Sequence, residues 1–287
     1  MPAERTGAVA FAIGNKAYVW GGRDSKGSLS NTLFCYDANA DSWTTIGTTP
    51  LAPRVSATAI VVDGKAYIGL GFTHGIYQAE AYLKDWWRFD PTTNTWDSLA
   101  AYPATNTVGG ICYCEEQTIY YAYGFGTGFG AAIYGYNTAA NSWSELAPTH
   151  LRMLSVMAPA GGSIDGRSFI GSGYRTYDSN LWYEINWQGD WTERAPIPGA
   201  RNMAICAAGT SHLYLAGGRL FHGELSGGKV YDDILRYDPA ANQWTLAAHL
   251  PVGAEHMIGF TLGGKAYIGL GETIDGTILN TLYRIDE

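Results

Sequence analysis

One segment recurs six times along the chain, and its period governs every other reading. The copies are "KAYVWGG", "KAYIGLG", "TIYYAYG", "RSFIGSG", "HLYLAGG" and "KAYIGLG". Their last glycines are Gly22, Gly71, Gly124, Gly173, Gly218 and Gly271, which stand 49, 53, 49, 45 and 53 residues apart. Self-similarity at such a period marks a unit that cannot bury its apolar face alone and stacks on its neighbours. A second series is Asp37, Asp90, Asn137, Asn186, Asp238 and Asp286. A third is Trp43, Trp96, Trp143, Trp191 and Trp244, with no sixth member.

Each unit reads as four strands. An apolar run such as "GAVAFAI" or "SATAIVV" leads into a tight turn ("GNK", "VDGK", "IDGR", "LGGK") of the hairpin type. The segment from Tyr to Gly forms the second strand. A variable loop precedes a third strand that ends in an aromatic residue or Ile followed by Asp or Asn. A further turn ("DANADS", "DPTTNT", "DPAANQ") leads to a fourth strand at the tryptophan. Apolar residues spaced three and four apart over several turns occur nowhere, so no helix is expected. Six units of four strands, less the one without its tryptophan, give 23 strands. The units fall at about 1–50, 51–103, 104–148, 149–198, 199–251 and 252–287 of one domain.

Composition agrees with this architecture and excludes several functions. The 287 residues are 46% hydrophobic and 15% charged, with 37 Gly, 20 Tyr and 10 Trp, a pattern that suits many short strands joined by tight turns. A formal net charge of −8 and the lack of any Lys/Arg run argue against a nucleic-acid or anionic-membrane partner. No apolar run approaches the length that spans a bilayer, so no membrane insertion is expected. "MPAERTG" carries neither a basic nor an apolar signal region. Cys35, Cys112, Cys114 and Cys206 lie in strand-like apolar contexts without metal-ligand spacing, and read as buried free thiols. Neither a metal nor a cofactor is expected.

Units of this length, with a double glycine and a spaced aromatic and tryptophan, resemble the kelch repeat over essentially the whole chain. Only Gly21-Gly22 and Gly217-Gly218 keep both glycines; the other units read Leu70-Gly71, Tyr123-Gly124, Ser172-Gly173 and Leu270-Gly271. The resemblance implies an all-β, six-bladed β-propeller of four-stranded antiparallel blades, the last blade lacking its outer strand, around a central channel. An open edge on that blade is a liability. We therefore expect the natural gene to continue upstream of Met1 with a tryptophan-bearing strand.

In such a blade the loop that feeds the first strand and the loop after the glycine share one face, where loop lengths vary and function concentrates. That face collects Arg23, His74, Phe125, Tyr174, Arg175, Arg219, His222, Glu224, His256 and Glu272, the candidate ligand-binding residues. Asn106, Asn202 and Glu255 lie there too. The longest loops, "FTHGIYQAEAYLK" and "RLFHGELSGGKVYD", belong to the second and fifth units, expected opposite each other. Arg5, Arg54, Arg152 and Arg201 recur at unit openings, which points to bracing of loops by forked hydrogen bonds. The non-recurrent Arg23, Arg175 and Arg219 are the better partners for an anionic ligand.

Familiar catalytic patterns fail on inspection. "GELSGGKV" satisfies G-x-x-x-x-G-K, but Val230 stands where Ser or Thr should hold magnesium and a strand follows. "GFGTGF" leads to no helix N-terminus that would cradle a phosphate. No G-x-S-x-G elbow or H-E-x-x-H is present. Among families with this fold, galactose oxidase needs an adjacent Tyr-His pair and nitrile-specifier proteins an E-x-x-x-D-x-x-x-H motif; neither occurs here. The bacterial sialic acid epimerase (mutarotase) uses a carboxylate and an arginine on the loop face, parts that Glu224, Arg219, Glu272, Glu255 or Arg175 would fill. The missing motifs favour a non-catalytic recognition module for a glycan, a small anionic metabolite, a peptide or a protein. The alternative is a carbohydrate-active enzyme of the epimerase type. Low charge and abundant Gly, Trp and Tyr suit an extracytoplasmic bacterial protein.

Overall fold

Paired left-handed residues build the hairpins that the turn sequences announce. Asp63-Gly64, Asp165-Gly166 and Gly263-Gly264 all have positive φ, from 49° to 75°. Two successive positive φ values give the type I′ turn whose twist matches the flanking strands. The computed structural model describes residues 1–74, 81–104, 107–122, 125–126, 133–146, 157–174, 176–186, 191–221 and 228–286. Among them is no α-helix, hence no helix long and apolar enough to cross a membrane.

The chain is an all-β, six-bladed propeller of antiparallel sheets, and it divides into two compact units. Gly7–Ser155 carries three four-stranded sheets. The first is β1 (Thr6–Ile13), β2 (Lys16–Arg23), β3 (Thr32–Asp37) and β4 (Ser42–Thr48). The second is β5 (Thr58–Val62), β6 (Lys65–Gly69), β7 (Trp86–Asp90) and β8 (Thr95–Leu99). A short ribbon pairs β9 (Thr107–Val108) with β12 (Phe125–Gly126). The third sheet is β10 (Ile111–Glu115), β11 (Thr118–Ala122), β13 (Ile133–Asn137) and β14 (Ser142–Leu146).

The other unit joins Met1–Thr6 to Val156–Glu287. Its first sheet is β15 (Ala160–Ile164), β16 (Arg167–Gly171), β17 (Trp182–Ile185) and β18 (Trp191–Glu193). The next is β19 (Ile205–Ala208), β20 (Leu213–Ala216), β23 (Asp233–Asp238) and β24 (Gln243–His249), beside a ribbon of β21 (Arg219–Leu220) and β22 (Lys229–Val230). The sixth sheet has three strands, β25 (Ile258–Leu262), β26 (Lys265–Gly269) and β27 (Leu282–Ile285). Leaving the two ribbons aside, the sheets hold the 23 strands that the repeat count gives.

At two junctions, one in each unit, a repeated tryptophan and a turn residue fasten a sheet to the one before it. Tyr136 and Tyr237 donate from their hydroxyls to Oδ1 of Asn141 (2.8 Å) and Asn242 (2.9 Å). Those same oxygens accept the backbone N–H of Ala100 and Ala195 in the preceding sheet, both at 2.8 Å. Trp143 and Trp244 return the contact by donating Nε1–H to the carbonyls of Ala100 and Ala195, both at 2.9 Å. Each clamp pairs backbone groups at the end of a strand, where the ladder no longer serves them. The first turn residue closes the loop: Asp37, Asn137 and Asp238 accept two backbone N–H groups each through Oδ1.

Between sheets the core is apolar and aromatic. Phe169, Trp182, Leu213, Leu235 and Tyr237 pack in one cluster, and Trp86, Tyr102, Tyr121 and Tyr136 in another. The four cysteines are free; Cys35 and Cys206 are buried, while Cys112 and Cys114 are half-buried against the Trp86 cluster. Burial drives the Cys112 and Cys206 thiols up to about 12, so neither is a thiolate at neutral pH.

Candidate functional site

The double glycine of the repeat has a backbone cause. Both positions are left-handed wherever they are described: Gly21 and Gly22, Leu70 and Gly71, Ser172 and Gly173, Gly217 and Gly218, Leu270 and Gly271. The second position is also crowded. A Cβ on Gly71, Gly218 or Gly271 would lie 2.6, 2.6 and 2.5 Å from the carbonyl oxygens of Val55, Asn202 and Glu255. The first position tolerates Leu or Ser at the cost of an unfavourable φ.

This close approach sets a two-residue bridge just beyond the glycine. The residue after the glycine pairs antiparallel with the residue ahead of the first strand: Phe72 with Val55, Phe125 with Val108, Tyr174 with Met157, Arg219 with Asn202, Glu272 with Glu255. The residue following the bridge is left-handed in turn, as at Ser56, Gly109, Ala158, Met203 and His256. The two loop types therefore do meet, as the repeat geometry predicts.

Arg54 and Arg201 perform the bracing expected of them. Each is fully buried. Arg54 holds Asp85 through both terminal nitrogens, at 2.5 and 2.7 Å, and donates to the carbonyls of Ala52 and Leu70. Arg201 holds Asp233 at 2.5 and 3.0 Å, donates to the carbonyls of Pro198, Gly199 and Gly217, and lies 3.8 Å from the Tyr231 ring centre. The planar fork satisfies several loop acceptors at once, which lysine cannot do.

The remaining candidates divide between the two units. In Gly7–Ser155, Arg23 ends β2 half-buried and bridges to Leu29. His74 is exposed, with Nδ1 2.8 Å from the Thr73 hydroxyl. Phe125 lies in β12. Arg175, His222 and Glu224 lie outside the described residues, as do Asn106, Arg152 and the tips of the two long loops.

The other unit brings several candidates together. Tyr174 meets Phe221 edge-on with ring centres 5.2 Å apart. Asp178 accepts the Phe221 N–H through Oδ2 (2.8 Å) and Asn202 Nδ2–H through Oδ1 (2.5 Å). Asn202 also donates to the Arg219 carbonyl at 3.1 Å. Arg219 reaches Glu255 Oε1 at 2.7 Å, with side chains only 12% and 7% exposed. Its guanidinium grips that carboxylate. Glu255 faces Glu272 across their bridge, each donating its N–H to the other's carbonyl at 2.9 Å. His256, beside Glu255, fills the recurring left-handed position.

Glu255 is the chemically unusual member. Among the described residues its Oε2 and the Oδ1 of Asn202 are buried with no hydrogen-bond partner. Burial pushes the Glu255 carboxyl above its ordinary value, the Arg219 guanidinium opposes that shift, and the Glu272 charge adds to it. Sequence reading named Glu255 without singling it out. The signal was in the register: at the two bridge positions the other described pairs are Val–Phe, Val–Phe, Met–Tyr and Asn–Arg, and only the sixth unit puts acid opposite acid. Among the described residues no cluster of His, Cys, Asp and Glu could hold a metal ion.

Glycine-set bridges, buried bracing arginines and tryptophan clamps define a propeller of the kelch type. The chain belongs to the kelch-repeat family: residues 1–160 match the model of the KLHDC2/KLHL20/DRC7 Kelch-repeats domain. It is 26% identical over 246 residues to kelch-like protein 23 of Mus musculus, covering 83% of this chain and 41% of that protein. The chain thus spans about two fifths of the length of such kelch-like relatives. It is 24% identical over 311 aligned positions to N-acetylneuraminate epimerase 1 of Escherichia coli O6:H1 (strain CFT073), covering 87% of this chain and 82% of the epimerase. The solved structure of YjhT shares the fold with a TM-score of 0.80 at 17% identity, over 98% of this chain and 95% of that one.

Proposed function

We propose that this chain is a carbohydrate-active enzyme of the N-acetylneuraminate epimerase type, with Glu255 and Glu272 as its proton-handling pair. One observation carries the reading: two glutamates stand opposite each other on a backbone bridge, with Arg219 on one of them. Like charges directly opposite destabilise a strand pair, so a bridge that keeps them is a place where folding yields to function. The similarity to an epimerase over most of that enzyme's length supports the same reading.

Interconverting the anomers of a sugar hemiketal requires a base to take the anomeric hydroxyl proton and an acid to protonate the ring oxygen as the C–O bond opens. Closure on the other face reverses both transfers. Glu272, the more exposed of the two, meets the sugar. Glu255, buried opposite it with a carboxyl raised above its ordinary value, holds the proton, and Arg219 at its Oε1 fixes its orientation.

The test is exchange between the anomers of N-acetylneuraminate, followed by NMR saturation transfer. Wild type accelerates exchange. Glu255→Gln and Glu272→Gln each lower it by about 10²–10⁴-fold, the usual worth of a positioned acid or base. Wild-type rates in both variants, or no acceleration by wild type together with saturable sugar binding, would replace this reading with the recognition module.

A further inference from the structure

The fifth unit's bridge pairs Asn202 with Arg219, and Asn202 is fully buried. Its amide nitrogen gives one hydrogen to Asp178 Oδ1 at 2.5 Å and the other to the Arg219 carbonyl at 3.1 Å. Both partners only accept, so the amide sits one way round and Oδ1 faces away from them. Asp178 is itself pinned, because its Oδ2 takes the Phe221 N–H at 2.8 Å. Among the described residues Asn202 Oδ1 has no donor.

Glu255 lacks a partner in the same way. Arg219 Nη1 occupies its Oε1 at 2.7 Å, and its Oε2 is buried with none. Arg219 thus bonds to both residues whose oxygens are orphaned. The His256 N–H on the Met203 carbonyl, at 3.3 Å, ties together the residues that follow them. Two bare acceptors cannot bond to each other. A carboxyl can carry the hydrogen that joins them, whereas an amide oxygen stays unprotonated at neutral pH. Burial of Glu255, which raises its carboxyl, favours that proton. The charged groups about it are Arg219 and, across the bridge, Glu272; His256 follows it in the chain, and Asp178 lies behind Asn202.

We infer that Asn202 is a positioning residue whose Oδ1 accepts the hydrogen on Glu255 Oε2, directly or across one buried water, with Asp178 fixing the amide's orientation. Such a bond serves the neutral carboxyl alone, so it holds the proton on Glu255. The catalytic meaning of that hold rests on the proton-handling role proposed above; the bond itself does not.

The experiment follows Glu255 in the full chain by carboxyl-¹³C NMR without sugar, assigned with Glu255→Gln. Asn202→Leu, of nearly the same size, removes the acceptor, and the Glu255 midpoint should fall by about 1 pH unit, a roughly 10-fold loss of proton affinity. Asp178→Asn can still accept the Phe221 N–H only by turning an NH₂ toward Asn202. The Asn202 amide then turns over and offers its own N–H to Glu255, which favours the charged form, and the midpoint should again fall. In the double variant Asp178→Asn should add nothing, because it acts through the amide; mere loss of a charge would add its own fall. Should Asn202→Leu fail to fold, Asp178→Asn decides: its fall should persist in about 1 M salt, which screens the field of a half-buried carboxylate. The high-pH limb of anomer exchange should move down with the titration, since the protonated form is the one that acts. A midpoint unmoved or raised in either single variant, a further fall in the double variant, or a fall that salt abolishes would overturn the assignment. Because the titration is read without sugar, a wild type inactive on N-acetylneuraminate overturns the enzyme reading and not this one.

Discussion

The second glycine of the repeat fixes the bridge that carries the candidate site, and its substitution has a calculable cost. Gly271→Ala puts a β-carbon on a residue with φ of 96°, 2.5 Å from the Glu255 oxygen and 2.9 Å from Met257 Cγ. The left-handed backbone alone costs an L-residue about 1–2 kcal/mol. Forcing apart a packed carbonyl and side chain adds about 1–3 kcal/mol. The expected loss is therefore about 2–5 kcal/mol. Gly166→Ala is the control, with φ of 72° and nothing within 4 Å of the new carbon, so only the first contribution applies. Urea denaturation of the two variants with matched m-values reads the difference directly. Gly71→Ala, whose carbon meets the Val55 oxygen at 2.6 Å, should side with Gly271→Ala. The reasoning fails if Gly271→Ala and Gly166→Ala fall within about 0.5 kcal/mol of each other, the scatter of ordinary surface changes.

Other consequences are open to the same instruments. Arg201→Ala leaves Asp233 without its guanidinium beside a buried pocket, and should cost about 3–5 kcal/mol in denaturation. Glu184 is gripped by Arg167 at 2.7 Å and by Arg194, and these hold its carboxyl below the ordinary value. A lowered folded value means stability present above the unfolded pKa and lost as pH falls through the folded one. Glu184→Gln should therefore cost about 2 kcal/mol at pH 7 and progressively less below about pH 4, seen in melts across that range. Trp244→Phe removes the donor to the Ala195 carbonyl and keeps an aromatic ring, with an expected loss of about 1 kcal/mol or slightly more.

The repeat made the architecture legible because every unit solves the same backbone problem. The second glycine appears in all six copies, and at Gly71, Gly218 and Gly271 the bridge carbonyl leaves no room for a side chain. The first, also left-handed, is Leu70, Ser172 and Leu270 in three units, yet at Gly217 it is crowded too, where a Cβ would lie 2.3 Å from the Ala254 oxygen. The bracing role of Arg54 and Arg201 was legible for the same reason, through recurrence. Their partners Asp85 and Asp233 were not, since each lies about thirty residues on, at the far side of a loop of variable length. The candidate site was legible only as a crowd of loop residues. Arg219 and Glu255 are 36 positions apart and belong to neighbouring sheets, so their ion pair depends on inter-sheet packing that no local pattern encodes. His256 drew notice as an imidazole near that site, yet its position is first of all a left-handed turn shared with Ser56 and Met203.

Titration of the glutamate side chains by carboxyl-¹³C NMR, with Glu255→Gln and Glu272→Gln used for assignment, probes the proposed proton store most directly. Glu255 should titrate above the ordinary glutamate range, and adding N-acetylneuraminate should move its midpoint. A Glu255 midpoint at or below the ordinary range, unmoved by the sugar, would contradict the account.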